Sequence, residues 1–142
     1  MTKQEIEQNY KVIYLNIKQN YFDKIMAGTK TQEFREVRPS TIKKLLQLDE
    51  DGFEIEGEDG NSLPIHYDVI HFRVGMNKVA DEAYVCVKDT HVGVIKFLMN
   101  ETGQYMVDDN GGLIVYDDII RNCVIFFSIK NVSGESASKV CR

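Results

Sequence analysis

Four side chains that follow Gly28 could together form a binding or catalytic site. Gly28 can adopt a positive φ and turn the chain sharply, which would place Lys30 at the corner between a helix and a strand. If a strand begins at Thr31, then Thr31, Glu33 and Arg35 project to the same side at spacings of about 7 Å. A hydroxyl, a carboxylate and a guanidinium would then line one strip beside an exposed, mobile lysine.

This strip has the chemistry to recognise a nucleic-acid base. A carboxylate such as Glu33 can accept a hydrogen bond from the exocyclic amine of cytosine, and Arg35 can fork to a phosphate or to the acceptor edge of a base. A plainer interpretation is also open. A Glu and an Arg two residues apart on a strand are often a surface ion pair worth ~0–1 kcal/mol, and a lysine after a glycine is often part of a solvated turn.

The pattern of apolar residues predicts the elements that position these side chains. Residues 12–18 alternate apolar and polar, which is typical of a half-buried strand. The apolar residues of 21–26 recur at helical spacing, and Gly28 ends that helix. The alternation returns over 31–36 and predicts a second, unusually polar strand that ends before Pro39.

Further strands are predicted in the rest of the chain. A short helix follows Pro39. Strands are expected over 69–74 and over 83–87 with a continuation through 92–95, and a short candidate lies at 113–116. Residues 123–130 form the strongest candidate, because a run without a polar face indicates a central strand that is buried on both sides.

These elements predict a mainly β (α+β) fold, a small and strongly curved β-barrel with short helices covering its ends. One domain is expected over residues 11–132, after an N-terminal extension at 1–10. Residues 133–142 have little to bury, so they are predicted to be a disordered tail. The three cysteines lie far apart without a C-x-x-C spacing, and we expect them to be reduced.

The segment that ends at Arg35 resembles the ASCH domain. Proteins of that family begin with a strand and a short helix that ends in Gly, followed by a G-x-K-T-x-E-x-R signature, matched here by Gly28, Lys30, Thr31, Glu33 and Arg35. The resemblance implies a PUA-like β-barrel, a fold similar to RNA-binding modules, with a ligand cleft beside the signature. Asp68 stands where the family has a Gly-Asp pair before its next strand, although Tyr67 replaces the Gly.

The first functional hypothesis is therefore binding of RNA, or of a modified nucleoside or nucleotide, in that cleft. The cleft is expected beside Lys30, Thr31, Glu33 and Arg35, and an aromatic side chain can stack on a base. The further ligand-contacting residues are predicted to be Gly28, Thr31, Arg35, Arg38 and Tyr21.

The second hypothesis is a hydrolase with Lys30 and Glu33 as catalytic residues. Small ASCH proteins include amidohydrolases that act on N4-acetylated cytidine with a Lys of the Gly-x-Lys-Thr turn, a Thr three residues later and a downstream Glu. That Lys corresponds to Lys30, while Glu33 stands in place of the Thr. In a ribonuclease, Lys30 and Glu33 would instead share acid–base work across a phosphodiester. A third hypothesis is a protein interaction domain that uses its acidic surface.

The charge is unevenly distributed along the chain. Residues 1–45 hold nine Lys or Arg against five Asp or Glu, whereas residues 46–142 hold eight against seventeen. Nucleic-acid binding should therefore be local and modest. Residues 49–62 carry seven acidic side chains, which predicts a hairpin-like excursion or a mobile acidic loop. Their spacing does not match an EF-hand calcium loop.

Other classes of site are not indicated. The three histidines have no partners at ligand spacing, so no metal is expected, and no cofactor-binding motif is present. The sequence also has no run of about 18 apolar residues that could cross a membrane. We therefore expect a cytoplasmic protein without a membrane partner.

Overall fold

The computed structural model describes residues 2–76, 79–94, 104–114 and 123–129. More of these residues lie in strands than in helices, so the protein is mainly β with short helices, as the sequence predicts. In chain order the elements are α1 Lys3–Asn9, β1 Val12–Ile17, α2 Gln19–Met26, β2 Gln32–Glu36, α3 Ile42–Leu45, β3 Val69–Val74, β4 Glu82–Val94 and β5 Cys123–Ile129.

The strands form a five-stranded sheet in the order β1-β3-β4-β5-β2. β1 runs parallel to β3, and β3 runs antiparallel to β4. β5 has a neighbour on each side, which confirms that the last strand is central. Ile125 and Phe127 on β5 are fully buried, whereas the side chains of Val124 and Phe126 lie outside the described residues. β4 runs from Glu82 to Val94 as one long strand, in agreement with the predicted strand at 83–87 and its continuation from Val92.

Contacts between Cα atoms divide the chain into two units. The first unit contains Met1–Thr31, Tyr67–Asp89 and Ser128–Arg142, and the second contains Gln32–His66 and Thr90–Phe127. The predicted tail at 133–142 lies outside the described residues. Each unit is described by itself below.

In the first unit, the N-terminal residues form a capped helix. The Thr2 hydroxyl accepts a hydrogen bond from the Glu5 N–H at 3.1 Å, and the Glu5 carboxylate accepts one from the Thr2 N–H at 3.2 Å. This reciprocal capping box satisfies two amides that would otherwise lack partners at the start of α1. Ile6 is the buried residue of α1, and it packs in a cluster with Val69, Tyr84 and Cys86.

Cys86 of this cluster is 3% exposed and disulfide-bonded. The expectation of three reduced cysteines is therefore wrong. Spacing along the sequence could not reveal this bond, because the other two cysteines are more than 30 residues away in the chain and only folding can bring one of them close.

The opposite face of the same strands is apolar. Strand alternation places Ile13, Leu15 and Ile17 of β1 on this face, and all three are buried. Helix α2 buries Phe22 and Ile25 and contacts β3. The apolar face of the parallel β1–β3 pair is thus buried, whereas Tyr14 and Asn16 on the other face of β1 are exposed.

A carboxylate fixes the start of this strand pair. The Asp68 carboxylate accepts a hydrogen bond from the Lys11 N–H at 2.8 Å, and the Asp68 N–H donates to the Lys11 carbonyl at 2.8 Å. Because Lys11 and Asp68 immediately precede β1 and β3, this exchange sets the register of the two strands.

In the second unit, residues 46–65 form an ordered segment that we call the acidic meander. The N–H of Gln47 donates to the carbonyl of Leu63, that of Leu63 to Ile55, and that of Ile55 to Gln47, at 2.8–3.2 Å. These three residues are spaced eight apart and form a closed ring of backbone hydrogen bonds. The hairpin-like excursion expected at 49–62 is therefore present. The N–H groups of Gln47, Ile55 and Leu63 bond to carbonyls within the segment rather than to solvent.

Three turns of one type complete the second unit. They span residues 49–53, 57–61 and 108–112, and in each the first residue's N–H bonds to the carbonyl of the fifth at 2.8 Å. The fourth residue is a glycine with φ between 80° and 85°, a conformation that favours glycine. The sequence predicts the turn at 108–112 and rejects calcium sites there and at 49–62.

Candidate functional site

The predicted site residues fall in both units. Tyr21, Gly28, Lys30 and Thr31 belong to the first unit, and Glu33, Arg35 and Arg38 belong to the second.

In the first unit, Lys30 follows directly after the turn that ends α2. Gly28 has a φ of 80° and its N–H bonds to the Ile25 carbonyl at 3.1 Å. The N–H groups of Thr29 and Lys30 both bond to the Lys24 carbonyl, at 3.0 and 3.1 Å. Gly28 therefore acts as the predicted C-terminal stop, since its left-handed conformation lets the turn close on the last helical carbonyls.

Lys30 is buried, contrary to the expectation of an exposed, mobile lysine. Only 3% of its surface is exposed, and its Nζ lies 5.7 Å from the centroid of the Tyr21 ring. That distance is within the range of a cation–π contact. The sequence could not show this, because lysines are rarely buried and the covering groups come from tertiary packing. Tyr21 thus lies beside Lys30.

Thr31 immediately precedes β2 rather than starting it, and its side chain is exposed. Its carbonyl accepts a hydrogen bond from the Ile129 N–H at 2.9 Å. The backbone of Thr31 thus supports the sheet, while its hydroxyl faces solvent.

In the second unit, β2 places Glu33 and Arg35 side by side. Glu33 is 7% exposed, and its Oε1 accepts a hydrogen bond from the Phe34 N–H at 3.0 Å. Its Oε2 lies 3.7 Å from Nη2 of Arg35. The strand period therefore brings these two side chains together, as predicted, and the pair is largely sheltered from water instead of lying on an open surface.

Arg38 is placed differently. Its Nε donates to Glu36 Oε2 at 2.8 Å, its Nη2 contacts the same oxygen, and its side chain is 60% exposed. The Arg38 N–H also bonds to Thr41 Oγ1 at 3.0 Å, in the turn that leads into α3. Arg38 thus pairs with Glu36, a residue that sequence reasoning did not assign.

Sequence reasoning also missed Lys44. Partial burial, together with the charge of Arg35, lowers the pKa of Lys44 below its usual value. A second cation therefore lies within electrostatic reach of the Glu33–Arg35 pair. The signal for it was weak, because Lys44 falls between apolar residues of a four-residue helix.

A separate polar cluster surrounds His71 in the first unit. His71 is 7% exposed, and its Nε2 lies 3.3 Å from Glu82 Oε2. Glu82 also accepts a hydrogen bond from Lys3 Nζ at 2.8 Å. The bridge to Lys3 and the His71 hydrogen bond hold the pKa of Glu82 below its usual value, with the Lys3 contribution largest. His66 and His91, by contrast, are exposed.

Neither a metal site nor a membrane span is found in the part of the chain that the structure describes. There, no three His, Cys, Asp or Glu side chains form a group that could hold a metal ion. The helices within the described ranges also lack the length and apolar character needed to cross a membrane.

The comparisons with known proteins add no relative. No protein-family model matches the chain, and neither the curated proteins nor the solved structures contain a match. The ASCH resemblance therefore continues to rest on the signature residues themselves.

Proposed function

We propose that this chain is an ASCH-like module with a PUA-like fold that binds a nucleoside or nucleotide, free or within RNA, through its signature residues. The observation that carries the proposal is the burial of Lys30 and Glu33. Four polar or charged residues are buried among those described, and Lys30 and Glu33 are the two of these with an amine or a carboxyl side chain. Both lie in the signature.

Burial of charge argues for a functional role. Removing a charged side chain from water is costly unless other groups compensate it, and such groups concentrate at functional sites. A solvated turn would leave Lys30 exposed, and an ordinary surface ion pair would leave Glu33 exposed. The plainer interpretations of these two residues are therefore disfavoured.

The Glu33–Arg35 pair supplies the recognition chemistry. A carboxylate fixed by the Phe34 N–H and by Arg35 can accept from the exocyclic amine of cytosine. Arg35 brings the donor chemistry that suits a phosphate or a base edge, because a guanidinium presents five N–H groups in a planar fork. Lys44 adds positive charge on the same unit, which favours a ligand that carries phosphate.

The burial of Lys30 also supports the hydrolase hypothesis. A lysine enclosed against an aromatic ring is shielded from water, and such lysines can act as general base or nucleophile. An amidohydrolase acting on acylated cytidine would use Lys30 in this way. A ribonuclease would in addition need Glu33 as its acid–base partner.

One panel separates these functions. N4-acetylcytidine, cytidine, cytidine monophosphate and a short RNA are assayed for binding and hydrolysis with wild type, Lys30→Arg, Lys30→Ala and Glu33→Gln. Lys43→Arg, on an exposed lysine of α3, serves as the matched control. Circular dichroism checks that each variant folds.

A binding module predicts that Lys30→Ala weakens binding and that Glu33→Gln changes which base is preferred. If Lys30 contacts phosphate, the plot of log binding constant against log salt concentration should also become shallower, by about one unit in slope. An enzyme predicts that Lys30→Arg lowers turnover by several orders of magnitude with little change in ground-state binding. If wild type neither binds nor cleaves any member of the panel, both functions are rejected.

A further inference from the structure

The acidic meander exposes apolar side chains that the proposed nucleoside site does not use. Phe53 is 69% exposed and Ile55 is 37% exposed. Alternation along the chain puts Phe53, Ile55 and Gly57 on one side. A Cβ at Gly57 would lie 2.9 Å from Cδ2 of Leu63, so Leu63 packs directly against this position. We call these four residues the apolar strip.

Carboxylates flank the apolar strip along the chain: Glu50 and Asp51 lie in the turn before it and Glu58 in the turn after it, whereas alternation puts Glu54 and Glu56 on the opposite side. Residues 49–62 carry seven Asp or Glu, and the sequence has no Lys or Arg between Lys44 and Arg73. Asp49 and Asp59 hold the turns, because their Oδ1 atoms accept backbone hydrogen bonds at 2.9–3.0 Å. Glu54 accepts a hydrogen bond from the Ser62 hydroxyl at 2.8 Å. The remaining acidic side chains are exposed, namely Glu50, Asp51, Glu56 and Glu58.

The backbone holds this charge in place. The ring formed by Gln47, Ile55 and Leu63, together with the two turns at 49–53 and 57–61, fixes the backbone of both the apolar strip and the acidic residues that flank it. A surface that is already ordered loses less conformational entropy on binding than a mobile loop would.

We propose that the acidic meander is a docking surface for a basic protein segment that carries a large apolar side chain. The apolar side chain would cover Phe53 and Ile55, and Lys or Arg residues of the partner would face the carboxylates of the two flanking turns, Glu50, Asp51 and Glu58. An apolar centre with a complementary polar or charged rim is the usual anatomy of a specific interface. An RNA partner is disfavoured, because these carboxylates would repel its phosphates.

The test uses the full chain and three labelled peptides of about 16 residues. The first is a Lys/Leu peptide with its leucines on one helical face, the second has the same composition scrambled, and the third replaces Lys with Glu. Binding is measured by fluorescence anisotropy at two salt concentrations. A labelled single-stranded RNA is titrated in parallel.

The variants have matched controls. Phe53→Ser removes the exposed aromatic ring, and its control is Tyr105→Ser, on a tyrosine that is 58% exposed in the same unit. The double variant Glu50→Gln/Glu58→Gln removes charge at the second position of two turns. Its control is Asp109→Asn, at the second position of the third turn. Thermal melts establish that each variant is folded.

We expect the amphipathic basic peptide to bind more tightly than the scrambled one, and the Glu peptide not to bind. Phe53→Ser should weaken binding about tenfold. The double variant should weaken binding and reduce its salt dependence, and both controls should match wild type. The proposal is overturned if the scrambled peptide binds equally well, if the controls weaken binding as much as the test variants, or if Phe53→Ser abolishes binding of the RNA. It is also overturned if no basic peptide binds.

Discussion

The imidazole of His71 stacks on the ring of Tyr84, with centroids 4.2 Å apart and an angle of 13° between the planes. Tyr14 meets the other side of His71 edge-on at 5.3 Å. Strand register explains this arrangement, since Tyr14 pairs with His71 across β1 and β3, and His71 pairs with Tyr84 across β3 and β4. The three rings thus form one row across the first unit. Two residues of α1 lie next to this row: Glu7 accepts a hydrogen bond from Tyr84, and Lys3 donates one to Glu82, which contacts His71.

The hydroxyl of Tyr84 should stabilise the fold in a pH-dependent way. It donates to Glu7 Oε1 at 3.2 Å, so Tyr84→Phe should cost about 1 kcal/mol at neutral pH. Burial, and next the Glu7 carboxylate, raise the pKa of Tyr84 above its usual value of 10.0. Its contribution is therefore complete below pH 10 and is lost as the pH rises further.

Urea unfolding between pH 7 and pH 11 measures this effect. The stability of wild type should fall more steeply above pH 10 than that of Tyr84→Phe. Tyr105→Phe, on an exposed tyrosine, should follow wild type. The prediction is contradicted if the free energies of unfolding of wild type and Tyr84→Phe change in parallel between pH 7 and pH 11.

Glu82 should make stability depend on acid pH. Its pKa lies below the usual 4.5, mainly because of the Lys3 hydrogen bond and then the His71 hydrogen bond. A depressed pKa gives a contribution that is present above about pH 4.5 and lost as the pH falls through the folded-state value. Because Glu82 is partly exposed, solvent screening limits this contribution to about 1 kcal/mol or less.

Chemical denaturation from pH 7 to pH 3 tests this. Glu82→Gln should lower the free energy of unfolding at pH 7, and this free energy should then fall less steeply towards pH 3 than it does in wild type. Lys3→Met should reproduce most of that change, since Lys3 contributes most to the lowered pKa. An unchanged acid decline in both variants would show that Glu82 is not coupled to folding.

Phe127 should be among the most costly core positions. It lies on the central strand β5 and is fully buried, so Phe127→Ala should destabilise the protein by about 3–5 kcal/mol through lost burial and a residual cavity. Phe53→Ala changes the same residue type at a 69% exposed position and should cost less than about 0.5 kcal/mol. Thermal unfolding of the two variants compares them directly, and similar costs would argue against a central β5.

Sequence periodicity predicted the regular elements after residue 10, because burial on one face leaves a pattern, but it did not predict helix α1, which lies in the expected N-terminal extension. The strand at 69–74 has the predicted bounds, and β1 ends one residue earlier than predicted, at Ile17. The nearness of Glu33 and Arg35 was predictable for the same reason, since strand neighbours two apart share a face.

Burial of Lys30 and the order of the acidic meander could not be predicted in this way. The surroundings of Lys30 depend on tertiary packing, which a local pattern does not contain. The hydrogen bonds of the meander join backbone groups, and backbone groups are the same in every residue. A run of acidic side chains therefore gave no sign that Gln47, Ile55 and Leu63 close a ring.

That ring also constrains which changes of chain length the protein can accept. Surface connections usually tolerate inserted or deleted residues. Here one added residue between Gln47 and Ile55, or between Ile55 and Leu63, would change the sequence spacing of two of the three hydrogen bonds that close the ring. Substitutions at exposed positions leave the spacing between these three residues unchanged. The acidic meander should thus vary in side chains while keeping a fixed length, the opposite of what its polar composition would indicate.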